Sequence, residues 1–499
     1  MNNTSIIIGP PGTGKTTTLL DLVDEYLSKG TDPMKIGFVS FTRKSVEEAK
    51  ARAAKRFNKN PKFFHFFRTL HSLAFYQLAM TKNDVMELDH YREVGKILGV
   101  VIKGKSASDY AVEELEKGDQ LVFIESLARM RCESIEDTYN RENLDFSIDE
   151  LYLYKETLEK YKKVNILSDF TDMLTKFLYQ GVTPALDVLF VDEAQDTCLL
   201  QWKLIEKLSL TSAKTYIAGD DDQAIFRWSG ADIEYFIDLT KKHPTTVLKQ
   251  SYRLPSSIHN LADTIISEIR NRVPKKYKAT KEKGQIEWVA SLDDIDMSTG
   301  NWLILVRNIF MINQILEYLR YTGFTYSSRF KNSKDIESLE AALNWERLRK
   351  GESIKFEDAK VVLSFMSNKQ YTKPLTISRK SDSLITLKEI HNLCQLKNAD
   401  KFWYDALDKI SVEDREYFIA ARRRGESFVK EPRIHVSTIH GAKGGECENV
   451  VILTDMSIKT YNAMLKNYED EVRVFFVGIT RAKKNLYIVQ PNTNCYFSI

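Results

Sequence analysis

The sequence predicts an α/β fold with parallel sheets, divided over more than one domain. Three observations predict it. The opening stretch SIIIGPPGTGKTTTLL runs a short β-branched segment into a glycine-rich turn and then into residues of helical periodicity. Two further apolar runs, DVLFVDEAQD and KTYIAGDDDQ, each end in acid, and strands with polar groups at their C-terminal ends describe a parallel sheet that binds its ligand along that edge. The 499 residues, 43% hydrophobic and 28% charged, suffice for several packed cores.

The first element is a phosphate cradle. Residues Gly9, Pro10, Pro11, Gly12, Thr13, Gly14, Lys15 and Thr16 spell G-x-x-x-x-G-K-[ST], and Thr17 continues into a helix whose apolar residues Leu19, Leu22, Val23, Tyr26 and Leu27 recur at helical spacing. The glycines let backbone N–H groups close around phosphates at a helix N-terminus, Lys15 reaches the β and γ oxygens, and the Thr16 hydroxyl suits Mg²⁺. Asp192 closes the buried run Val188 to Val191 and is the expected second metal ligand, and Glu193 beside it is placed to polarise an attacking water. An Asp-Glu pair after a strand is common by itself; with the Lys15 loop in the same chain it reads as the other half of a nucleotide hydrolase. In KTYIAGDDDQ, Gln223 is the candidate γ-phosphate sensor, against the alternative of an acidic surface turn.

Composition sets limits on partners. The 72 basic and 69 acidic residues give a net charge of +3, so no global basic excess argues for nucleic acid and any polyanion must be held by a local groove. Cys132, Cys198, Cys394, Cys447 and Cys495 are scattered singly, against a zinc knuckle or a disulfide framework, and a reducing cytoplasm is expected. Neither a secretion signal nor a membrane span is expected.

The order of the motifs carries a resemblance. GPPGTGKTT, FVSFTRKSVEEAKAR, RTLHSLAF, LSDFTDML, VDEAQD, GDDDQAIFRWSGAD, LKQSYRLPSSI, VSTIHGAKGGECENVVIL and VFFVGITRAKKNLYI resemble, in sequence, the motifs of superfamily 1 DNA helicases of the UvrD/Rep/PcrA type. The resemblance implies two RecA-like P-loop NTPase cores, each interrupted by a mainly helical insertion, and ATP-driven, Mg²⁺-dependent movement 3′ to 5′ on single-stranded DNA with duplex unwinding. It implies that Lys15, Thr16, Asp192, Glu193 and Gln223 serve the nucleotide, that Arg253 and Arg481 meet the γ-phosphate, that Tyr252 stacks on the base and that Glu446 lies near ribose and phosphates. Lys15 and Arg481 stand at opposite ends of the chain, so a site using both is expected between two folded units.

Single-stranded DNA needs flat side chains for bases to stack on and a groove that tracks phosphates. Phe226 and Trp228 supply the planes, two positions apart, so an extended segment would present both on one side; burial in a core is the alternative. Matching the resemblance, Phe41, Thr42, Arg43, Thr69, His71, Thr438, His440 and Lys443 are the other expected DNA contacts. A lysine-rich cluster at Lys275, Lys276, Lys278, Lys281 and Lys283 and the triplet Arg422 to Arg424 read as solvated faces or phosphate contacts.

The expected organisation is a first core at 1–74 and 165–254 with a helical insertion at 75–164, and a second core at 255–328 and 431–499 with a reduced insertion at 329–430. AVEELEKGDQLVFIESLARM and IDELYLYKETLEKYKKV read as amphipathic helices of the first insertion. Three departures stand out: almost nothing precedes Gly9 where relatives carry an adenine-reading glutamine, Ser229 follows the motif tryptophan where relatives often have arginine, and the second insertion is short. They lead to the expectation of loose nucleotide selectivity and a translocase that opens short duplexes. Expected partners are single-stranded DNA and its junctions with duplex, and proteins of a repair or replication machinery, with no membrane; the chain is expected to be a monomer or weak oligomer. A motor subunit of a helicase-nuclease and an ATP-switched DNA-binding protein are the competing readings.

Overall fold

The computed structural model describes residue 1 and residues 3–41, 43–105, 115–142, 144, 146–375 and 380–499. Its backbone divides into two units, the first comprising Met1–Trp288, Ile439–Glu446 and Thr454–Ile499 and the second Val289–Thr438 and Cys447–Leu453.

The first unit is built on a six-stranded sheet. Its strands are β1 (Thr4–Ile8), β2 (Ile36–Ser40), β3 (Phe67–Thr69), β4 (Leu186–Asp192), β5 (Ser212–Gly219) and β6 (Thr245–Val247), in the order β3-β2-β4-β5-β1-β6, paired in parallel. The period-2 alternation of a strand sorts its side chains into two cores. Ile6, Ile8, Leu189 and Val191 pack with Leu73, Met173, Leu204 and Ile237 of the helices Leu70–Gln77, Phe170–Gln180, Leu199–Leu210 and Ile233–Lys242. Ile7, Val188 and Phe190 face the opposite way, onto Leu19, Val23, Val46 and Ala53 of Lys15–Ser28 and Arg43–Arg56. Because both faces are covered, the inner strands β1, β2 and β4 read as largely apolar runs. The register aligns Ile8 with Gly219 and Ser40 with Asp192, so the phosphate loop and both acid-ended runs leave the sheet at the same edge.

Between β3 and β4 a helical body packs around its own core of Val94, Leu121, Ile124, Leu151, Tyr154 and Leu158. Its helices include Leu88–Leu98, Lys117–Arg131, Ile135–Arg141 and Ile148–Asn165. The last follows the predicted span; of the other, residues 111–114 lie outside the described residues and the helix runs from Lys117. The reason is local: Ser147 and Glu150 form a capping box at the start of Ile148–Asn165.

The second unit carries four strands of a second six-stranded sheet, Cys447–Leu453, Trp302–Val306, Ile434–Thr438 and Tyr326–Ser328, paired in parallel in that order. Trp302 to Val306 are all buried. Helices Glu337–Arg349, Phe356–Ser364 and Leu387–Cys394 accompany a small antiparallel pair, Ile354–Lys355 with Leu384–Ile385. KFWYDALDKISVEDREYFIAARRRG forms two helices, Trp403–Ala406 and Val412–Arg424, because the Ser411 side chain caps the second afresh by accepting from Asp414 N. Among the described residues no helix is long and apolar enough to cross a membrane.

Candidate nucleotide and nucleic-acid site

Three glycines shape the loop after β1 for different reasons. Gly12 and Gly14 have positive φ, 71° and 80°. Gly9 does not, yet a Cβ there would lie 1.9 Å from Lys15 Cγ, so it is the lysine side chain that excludes any larger residue. Lys15 is buried and donates from Nζ to Gly9 O at 3.0 Å, folded over the concavity made by its own loop. Behind it, Thr16 Oγ1 donates to Asp192 Oδ2 at 2.7 Å. One hydroxyl and one carboxylate suit Mg²⁺, which keeps several waters and takes its remaining ligands from phosphate; the chemistry of this pair fits the ion.

The acids after β4 are held apart in character. Burial, then the neighbouring Glu193 charge, push the Asp192 carboxyl up to about 7. Burial acts on Glu193 in the same direction, but Lys15, Lys443 and the Gln195 amide overcome it and hold Glu193 below the usual glutamate value. Glu193 also has φ 55°, a strained backbone for this residue type. Gln195 braces it, donating to Glu193 Oε2 at 2.6 Å while accepting from Asp220 N at 2.9 Å.

The C-terminal segment of the first unit closes on this edge. Arg481 is 1% exposed, donates to Val477 O and Gly445 O, and reaches Gln223 Oε1 from Nη2 at 3.3 Å. Burial, then the charge of Arg253, lower its pKa to about 9. Arg253 donates from Nε to Glu446 Oε2 at 2.6 Å, and Lys483 reaches the other oxygen of Glu446 at 3.0 Å. Tyr252 N donates to Gly12 O at 2.8 Å while the side chain stays 76% exposed, an open ring fastened to the phosphate loop. Lys15, Thr16, Asp192, Glu193, Gln223, Tyr252, Arg253, Glu446 and Arg481 therefore converge in the first unit.

The aromatic stretch differs from its expected shape. Phe226 and Trp228 do not lie on an extended segment: Arg227–Ser229 is a short 3₁₀ turn, closed by Phe226 O accepting from Ser229 N and Ala231 N and followed by Gly230 at φ 96°. The rings meet edge to face at 6.2 Å, Phe226 stacks on Phe41 at 5.5 Å and Trp228 on Phe123 at 6.2 Å, a row of four aromatics. Arg227 goes to carboxylates, Glu234 at 2.9 Å and Asp470 at 3.7 Å. Phe41, Arg43, Thr69, His71 and Phe123 line a cavity of about 1320 Å³ that the helical body shares with the sheet edge. Within it Thr69 caps a helix by accepting from Ser72 N, and burial, then Arg43, lower the His71 imidazole to about 4, leaving it neutral. His440 lies 6.1 Å from the Phe226 ring. Thr438 ends a strand of the second unit, and Thr42 is outside the described residues.

Lys443 has a different setting from a free phosphate contact. Its ammonium donates to both Asp196 oxygens at 2.6 and 2.7 Å and to Gln223 O at 2.6 Å, and stands 4.9 Å above the Phe226 ring. Lys275, read as part of a solvated or phosphate-facing cluster, instead buries its side chain fully among Asp220, Asp221 and Asp222. The pairing of Lys275 with these acids, and the parts of Arg272 and Arg473, escaped the sequence reading; the one signal for them was the acidic run itself, whose three charges demand partners.

The glycine loop at a helix N-terminus, the acid-ended strands and the parallel sheets define a P-loop nucleoside-triphosphate-binding protein with RecA-like cores. Similarity to known proteins narrows this class. The chain belongs to the UvrD/Rep family of helicases: residues 1–244 match the UvrD/REP helicase N-terminal domain and residues 325–493 the UvrD-like helicase C-terminal domain. It is 24% identical to a probable DNA helicase II homolog of Mycoplasma pneumoniae, over 97% of this chain and 81% of that one. It is 23% identical to the ATP-dependent DNA helicase Rep of Buchnera aphidicola subsp. Schizaphis graminum, over 100% and 92%. A probable DNA helicase of Mycoplasma pneumoniae is 26% identical over 58% of this chain and 60% of its own length.

Proposed function

We propose that this ATP-dependent DNA helicase moves 3′ to 5′ on single-stranded DNA, driven by a DNA-stimulated ATPase. The observation that carries the reading is a continuous path: Arg481 bonds the Gln223 side chain, the Gln223 carbonyl accepts from Lys443, and Lys443 stands over Phe226 in the aromatic row. A change at the γ-phosphate can thereby be felt where bases stack.

In this reading the loop from Gly9 to Thr17 and Lys15 bind the phosphates, Tyr252 stacks on the base, and Glu446 lies near ribose and phosphates. Thr16 and Asp192 would hold Mg²⁺, which when bound neutralises charge on the phosphate oxygens. Glu193 orients the attacking water and takes its proton, Gln223 reads the γ-phosphate, and Arg253 and Arg481 stabilise charge in the transition state, each arginine of this kind being worth about 10³ to 10⁵ in rate. Phe41, Thr42, Arg43, Thr69, His71, Phe226, Trp228, Thr438, His440 and Lys443 are the DNA contacts in this reading. Residues 1–74 with 165–254, and 255–328 with 431–499, act as the two cores, with 75–164 and 329–430 inserted.

Strand displacement tests the direction. A duplex with a 3′ single-stranded tail is expected to be opened with ATP and one with a 5′ tail left intact; the reverse preference overturns the proposed polarity.

A further inference from the structure

Three consecutive carboxylates in the interior demand partners, because a buried charge is costly unless it is paired. Asp220, Asp221 and Asp222 are each 2% exposed or less. Lys275 supplies the pairing, its Nζ 2.7 Å from Asp220, 2.5 Å from Asp221 and 3.0 Å from Asp222. Arg272 takes both oxygens of Asp222 at 2.9 and 2.6 Å, and Arg473 donates to Asp221 O at 3.1 Å.

The three acids are not equivalent. Asp220 divides its carboxylate, Oδ1 accepting from Lys275 and Oδ2 from Gln223 Nε2 at 2.6 Å. That second bond fixes the amide: with its nitrogen committed to Asp220, Gln223 must turn its oxygen elsewhere, and Oε1 accepts from Arg481. Burial tends to raise Asp220, yet Lys275 and then Lys15 hold it below the usual aspartate value, whereas burial pushes Asp221 up to about 6. The ionised acceptor is the one that faces Gln223.

We propose that Lys275 is a positioning residue for nucleotide hydrolysis: by keeping Asp220 an acceptor it orients the Gln223 amide and, through it, the Arg481 guanidinium. The inference rests on the parts assigned above to Gln223 and Arg481. Without the ammonium, Asp220 competes with its neighbours for a proton, and a protonated Asp220 can donate to the Gln223 oxygen instead. The amide then turns its nitrogen toward Arg481, placing donor against donor.

The test is steady-state ATP hydrolysis with saturating oligo-dT by the full chain carrying Lys275→Met, Asp220→Asn, or both, with a thermal melt of each. Each single change is expected to lower kcat about 10- to 100-fold, the scale of a misplaced catalytic group. KM for ATP is expected to stay within about threefold of wild type, because the phosphate loop and Lys15 are untouched. Since the two residues act in one chain of bonds, the double variant is expected to lose no more than the worse single. If Lys275→Met does not fold, Lys275→Met with Asp222→Asn relieves one buried charge, keeps Asp220, and replaces it throughout. A folded variant with kcat within about twofold of wild type, or losses that multiply in the double variant, overturns the proposal. A merely structural clamp would lower the melting temperature and leave the kcat of folded protein unchanged. A wild-type protein that hydrolyses no ATP overturns the functional reading and this inference with it, whereas a hydrolysing wild type with unaffected variants overturns the inference alone.

Discussion

A methyl group at position 9 would strike the Lys15 side chain, with Cγ at 1.9 Å and Cδ at 2.6 Å from the added carbon. Gly9→Ala is therefore expected to displace Lys15 and abolish nucleotide binding while leaving the fold intact. Added ATP and Mg²⁺ at about 100 times Kd should stabilise the wild type by about 2.7 kcal/mol and the variant by nothing, which a melting curve reads directly. An equal shift in both would show that the loop tolerates the methyl. At this scale the sequence is legible where the chemistry is local: Gly9, Lys15 and Thr16 are neighbours in the chain, and so are Asp192 and Glu193. Lys275 was not legible, because its partners stand over 50 positions away and a lysine among lysines looks solvated until the fold brings three aspartates around it.

Among elements, the junction of the helical body with the sheet rests on Asp169. It caps the helix Phe170–Gln180 by accepting from Asp172 N at 2.7 Å. It also receives Arg129 at 2.7 Å and Lys162 at 2.8 Å from two helices of the body. Burial acts to raise this carboxyl, but Arg129 and then Lys162 hold it well below the ordinary aspartate range. A depressed folded-state pKa contributes stability at neutral pH that is lost as pH falls below the unfolded value of about 3.9 toward the lower folded one. Asp169→Asn is expected to cost about 2 kcal/mol at pH 7, the worth of a charged hydrogen bond, and the gap from wild type should close in acid. A gap that persists undiminished in denaturant titrations at low pH would contradict the assignment. The capping Asp was open to reading in LSDFTDML, but its two cations were not, since Arg129 stands 40 positions away and Lys162 lies on a helix that also carries several exposed charges. The 3₁₀ turn at Arg227–Ser229 escaped for a different reason: two aromatics two apart fit an extended strand equally well until Gly230 takes its left-handed conformation.

For the molecule as a whole, the first parallel sheet follows from apolar runs that end in polar groups, as in Leu186–Asp192, whereas edge strands such as Phe67–Thr69, Thr245–Val247 and Tyr326–Ser328 carry no such pattern. Convergence of the termini is less local. Lys15 and Arg481 meet around Gln223 and its neighbouring acids, a set of contacts spanning most of the chain. The proposed function couples nucleotide chemistry at this edge to a nucleic-acid track. The most direct measurement is steady-state ATP hydrolysis by the purified protein, without DNA and with oligo-dT of increasing length, beside Glu193→Gln. Stimulation is expected to grow with strand length, and the variant to lose about 10² to 10⁴ in kcat, the worth of a positioned general base. Hydrolysis indifferent to DNA of any length, or undiminished in Glu193→Gln, would contradict it.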